Sequence, residues 1–107
     1  KILFYCQHVL GIGHYFRSLA ICEALSACEV SLALGGPDVD LPLPGHVSPF
    51  RLPGLRMDGQ FSRLTPVERG RGLDEVKERR RAALLRHFHD FAPDAVVLEH
   101  LSPALKL

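Results

Sequence analysis

Apolar residues in this chain fall into three short runs and one long helical stripe, separated by segments rich in proline and glycine. The first run, Lys1 to Cys6, is nearly continuous, which suits a strand buried on both faces. Gly11-Ile12-Gly13 then breaks the pattern. Ser18 to Ala27 reads as a helix, with Leu19, Cys22, Ala24 and Leu25 placed for packing. A second strand is expected over Glu29 to Leu34, closed by Gly35, Gly36 and Pro37, which cannot continue it. Strand, helix and strand make one βαβ unit, and the right-handed crossover rule sets the two strands parallel.

Between Gly35 and Gly72 lie six of the eight prolines and seven of the nine glycines, so this stretch reads as a loop system. It is expected to hold few ladder hydrogen bonds and to be the most mobile part of the chain. Only His46 to Leu52 resembles a strand, and Pro49 weakens it. A helix is expected from Leu73, where Asp74 and Glu75 suit its first turn, to Phe91 before Pro93. Leu73, Val76, Ala83, Leu84, Phe88 and Phe91 form its apolar stripe. Asp94 to Glu99 follows as a further buried strand. The order β-α-β-(β)-α-β indicates an α/β fold: a single domain with a doubly wound, Rossmann-like parallel sheet.

Composition narrows the function classes. Thirteen basic residues against twelve acidic ones leave a net charge of +1, too balanced for a surface that grips nucleic acid throughout. Cys6, Cys22 and Cys28 have no metal-ligand spacing and leave one unpaired, which fits a reducing cytoplasm better than a disulfide framework. No apolar run approaches the roughly 20 residues that span a bilayer, and the opening run is too short for a signal peptide. The first residue is Lys rather than Met, so a trimmed start is expected. His87 and His89, two apart, do not share a helical face, and no H-E-x-x-H pattern occurs, so neither metal nor cofactor is expected.

In open parallel sheets, ligands bind outside the carboxyl ends of the strands, beside the point where strand order reverses. The loop after the first run, Gln7 to His14, lies at such an end. Its glycines permit close backbone approach, and the helix start offers unpaired N–H groups to an anion, phosphate or diphosphate above all. A dinucleotide fingerprint fails, because its third glycine falls on Phe16 and Leu34-Gly35-Gly36 supplies no acid for a ribose. No P-loop pattern occurs.

Lys1-Ile2-Leu3-Phe4-Tyr5, Gln7-His8, Gly11-Ile12-Gly13-His14, Arg17 and an alanine-rich helix resemble the start of GT-B glycosyltransferases. The likeness extends to Gly35-Gly36-Pro37 and to Arg79-Arg80-Arg81 ahead of Pro93-Asp94. It is nearest to predicted bacterial glycosyltransferases related to family 28, which includes the enzyme making the peptidoglycan lipid intermediate. Leu10 and Ile12 interrupt the longer glycine run of those lipid-intermediate enzymes. The resemblance implies that residues 1–107 are the N-terminal half of a GT-B fold, which binds the sugar acceptor. The hinge and the C-terminal domain holding the nucleotide-sugar donor are expected to be absent, since the sequence departs from the family after Glu99. The implied activity is inverting sugar transfer, inactive in the isolated half. Gly11, Gly13 and His14 take the positions of the family's glycine-rich loop, with His14 as base.

Each candidate has a plainer reading. His14 is either that base or a helix-start histidine bonded to nearby backbone. Arg17 either pairs with an acceptor anion or is a solvated helix residue. His8 lines the pocket or simply packs, and Glu99 either binds acceptor hydroxyls or ends a strand in solvent. Arg80 falls near the centre of the apolar stripe, where snorkelling is the expected outcome and reaching a site from below the alternative. The competing function is a non-catalytic, flavodoxin-like module for a phosphorylated ligand or a protein partner. A half-enzyme is also expected to self-associate through its exposed interdomain face.

Overall fold

The computed structural model describes residues 1–6, 13–36, 42–57, 64–68, 70 and 72–98, apart from the side chains of His14, Arg56, Met57 and Leu64. In chain order the elements are β1 (Ile2–Cys6), α1 (Gly13–Ala24), β2 (Val30–Leu34), β3 (Val47–Arg51), β4 (Leu55–Met57), β5 (Leu64–Pro66), α2 (Leu73–Phe91) and β6 (Ala95–Leu98). Four strands form an all-parallel sheet in the order β3-β2-β1-β6, while β4 and β5 pair antiparallel as a separate ribbon.

The period-2 alternation of β1 decides which helix covers which face. Phe4 and Cys6 pack with Val30, Leu32, Leu34 and Val47 against Tyr15 and Cys22 of α1. Leu3, Tyr5 and Ala33 point the other way, towards Ala83, Leu84 and Phe91 of α2. Burial on both faces explains why β1 and β2 are almost wholly apolar.

Helix α1 begins at Gly13 and ends at Ala24, earlier at both ends than the expected Ser18 to Ala27. A first-turn N–H needs no intrahelical partner, so Gly13 opens the helix without breaking it. Tyr15, Ser18 and Cys22 form the buried stripe, whereas Ala24, expected to pack, is exposed. Near the helix end, the Cys22 carbonyl accepts hydrogen bonds from His46 Nε2 at 2.7 Å and from the Leu25 N–H at 3.0 Å. The helix terminus and the approach to β3 are thereby joined.

Pro49 is tolerated because β3 is an edge strand bonded only to β2, leaving no second ladder for its missing N–H. The expected strand over Asp94 to Glu99 exists as β6, but it is not buried. It occupies the other edge, with Val96 47% and Leu98 44% exposed. Residues 52–57 and 64–67 also depart from the expectation of few ladder bonds. Besides the β4–β5 pairing, Leu52 N–H bonds to Leu34 O, Leu55 N–H to Gly35 O and Val67 N–H to Gly54 O. Leu52 and Leu55 are buried, so this ribbon is anchored to the end of β2.

Helix α2 has the expected bounds, with Asp74 and Glu75 in its first turn. It stops at Ala92, whose left-handed φ of 50° turns the chain towards β6 while its N–H bonds to Phe88 O. Two stripe positions differ from expectation. Phe88 is 46% exposed, and Arg80 is one of the two buried residues of the helix. Among the described residues no helix is long and apolar enough to cross a membrane.

Candidate functional site

Strand order runs from β1 outward to β2 and β3, then returns to the other side of β1 for β6. The reversal falls beside β1, whose carboxyl end at Cys6 precedes α1. Gly13 is the first residue of α1 and is exposed, and a Cβ there meets no described atom within 4 Å. No packing contact among the described residues therefore demands glycine; what its lack of a side chain leaves is open space at the helix start. No acidic residue occupies the first turn of α1.

Of the expected site residues, the structure places Gly13 and Arg17 on the first turns of α1, Arg17 exposed and one turn beyond Gly13. His14 is the second residue of the same helix, and its side chain lies outside the described residues. His8, Gly11 and Glu99 also lie outside them. Beside the helix start, Tyr15 is 1% exposed and its phenol is held above the ordinary range, chiefly by burial, with Arg51 opposing. Phe16 stands edge-on to it at 6.1 Å and is half exposed. Cys22 is free, and burial pushes its thiol up to about 11, which removes it as a nucleophile near neutrality.

The feature missed by sequence reasoning is Arg80. Its guanidinium does not snorkel; the residue is 5% exposed and clamps three elements. Nη1 donates to Gly35 O at 2.6 Å and to Pro53 O at 2.8 Å, while Nη2 donates to the Tyr5 hydroxyl at 2.7 Å. Tyr5 is raised above the ordinary phenol range by burial, against the lowering effect of Arg80, so it is neutral and accepts this bond. Gly35 is required here for a reason unrelated to φ. A Cβ at Gly35 would lie 2.5 Å from Arg80 Nη2, in space the guanidinium fills. Only the placement of Arg80 among apolar stripe residues hinted at this.

A second polar pair joins β2 to α2. Ser31 Oγ and His87 Nε2 are joined by a 2.7 Å hydrogen bond, with the His87 ring stacked on Phe50 at 3.8 Å and on Phe91 at 5.6 Å. A serine on a histidine is a nucleophile arrangement in outline. Here Ser31 is 4% exposed, the second residue of β2 and beneath α2, so no substrate reaches it. The pair packs instead of reacting. Burial lowers the His87 pKa from 6.5, with Asp90 opposing. The folded protein thus resists protonation that the unfolded chain accepts. The stability contribution is complete above about pH 6.5 and is lost as pH falls through that value towards the lowered one. Urea midpoints measured at pH 7.5 and pH 5 should therefore fall less steeply with acid in His87→Gln than in the wild type. An unchanged slope contradicts this assignment.

Among the described residues no group of three His, Cys, Asp or Glu side chains is placed to hold a metal ion. No protein-family model matches the chain, and no curated protein or solved structure matches it.

Proposed function

We propose that this chain is the acceptor-binding, N-terminal half of an inverting GT-B glycosyltransferase, built on a doubly wound Rossmann-like sheet. The observation that carries the reading is the reversal of strand order beside β1, with the start of α1 at the same sheet edge. The Gly11-Ile12-Gly13-His14 run supplies the chemistry. His14, acting as a general base, takes the proton of an acceptor hydroxyl. The hydroxyl oxygen attacks the anomeric carbon of a nucleotide sugar held by the second domain, and the nucleoside diphosphate leaves. Three cysteines, none of them in a disulfide, accord with a cytoplasmic setting for this reaction.

Amide NMR tests the assignment of halves. A panel of sugar acceptors should shift the resonances of Gly13 to Arg17 saturably, whereas UDP- and GDP-sugars alone should not. Saturation of that edge by a nucleotide sugar contradicts the reading. Response only to phosphorylated small molecules favours the non-catalytic binding module.

A further inference from the structure

A cavity of about 280 Å³ beside α2 is lined by Pro53, Arg79, Ala82, Ala83 and Arg86. Its lining follows from helical spacing. Arg79 and Arg86 stand seven residues apart, about 10 Å along the helix axis, and so share one face. Ala82 and Ala83 are three or four residues from each of them, and their methyl groups leave the space between the two long side chains open. The remaining wall is Pro53, between the end of β3 and the start of β4. Arg80 holds that wall from the same helix, since its Nη1 donates to Pro53 O at 2.8 Å. Arg79 and Arg86 are exposed, and neither forms an ion pair with Glu75 or Asp90, the acids one turn outside them. Arg81, by contrast, pairs with Glu78 at 3.7 Å and does not line this cavity.

We propose that this cavity binds a small phosphate ester, with Arg79 and Arg86 holding the phosphate and Pro53, Ala82 and Ala83 flanking the organic part. A guanidinium fork matches two oxygens of an oxyanion at once. One fork satisfies a carboxylate, whereas a phosphate has oxygens and charge enough for two. The volume exceeds what a bare phosphate fills and approaches the roughly 300 Å³ at which small-molecule sites begin. Behind Pro53, the buried Arg80 charge adds to the positive potential and is little screened by salt. This site is separate from the acceptor edge at β1, and it stands or falls independently of sugar transfer.

The experiment is an NMR titration of the 107-residue chain with sodium phosphate and with phenyl phosphate, matched by sodium chloride at equal ionic strength. The Ala82 and Ala83 amides and the Arg79 and Arg86 Nε–H signals should move along saturating curves in both phosphates and stay still in chloride. Phenyl phosphate should bind about tenfold more tightly than inorganic phosphate, because its ring gains the apolar lining. Arg79→Gln and Arg86→Gln should each weaken phenyl phosphate binding about tenfold, the loss of one charge-assisted contribution. Arg81→Gln should leave that binding unchanged. All three positions are exposed on α2, so the variants keep the fold. Equal drift of these signals in all three salts overturns the site. An equal loss in the Arg81 variant also overturns it, since any charge on the helix would then serve. Equal affinity for the two phosphates overturns the assignment of an ester.

Discussion

Arg80→Ala will lower the stability of the folded chain by about 3 kcal/mol. Two opposing effects set this value. Removing the guanidinium relieves its desolvation, but it strands Pro53 O and the Tyr5 hydroxyl, each at roughly 1–3 kcal/mol, and leaves a cavity where the stem lay. Gly35 O is spared, since the Leu55 N–H still reaches it at 3.1 Å. Arg80→Met refills the stem volume and should recover about 1 kcal/mol of the loss. The decisive measurement is a double-mutant cycle with Gly35→Ala. In the wild type the new methyl group collides with Nη2, at a cost of about 1–3 kcal/mol. With Met at position 80 the same methyl group meets open space, and the coupling should exceed about 1 kcal/mol. Additive urea midpoints would show that the guanidinium does not occupy the place a Gly35 side chain needs.

In a parent chain that carries a donor domain, His14→Ala should reduce kcat by roughly 10²–10⁴-fold, the range of positioned proton transfer. The donor's KM should hardly change, because the donor is bound by the other domain. His14→Asn divides chemistry from placement, since an amide can bond an acceptor hydroxyl but cannot take its proton. Near-full activity in the Asn variant makes His14 a positioning residue and moves the search for the base to Glu99. An Ala variant with unchanged turnover returns His14 to the role of an ordinary helix-start histidine.

How far the fold could be read from residues depended on whether a pattern was local. The α2 stripe repeats over nineteen residues between an acidic first turn and Pro93, and its bounds emerge unchanged. A continuous apolar run identifies a strand but not its place in a sheet, which is why β6 was expected to be buried like β1 and instead lies at an edge. Gly11 and Gly13 were read as a break, although a glycine at a helix start costs little, so α1 began sooner than expected. Strands of three residues, one ending in Pro66, are too short for any period, and β4 and β5 escaped notice. Arg80 shows the limit most clearly. Its acceptors lie 27, 45 and 75 residues away, and nothing near it in sequence announces them. At the candidate acceptor edge, the glycine spacing beside a strand end was legible.

The register of β1 has a kinetic consequence. Every strand pair in the main sheet is parallel, so no hairpin can nucleate it, and β1 must find partners far along the chain. Ile2 aligns with Val30 on one side and with Ala95 on the other. The first pairing can close once one βαβ unit has been made; the second waits for nearly the whole sequence. During synthesis β1 therefore emerges before either partner, with its β6-facing ladder open until residues 95–98 leave the ribosome. Refolding should accordingly be slow for a chain of this size, because the entropy of the longest loop is lost before its contacts form. The same closure lets one late event, the arrival of β6, bring the Asp94 N–H onto Lys1 O and join the two ends of the described chain.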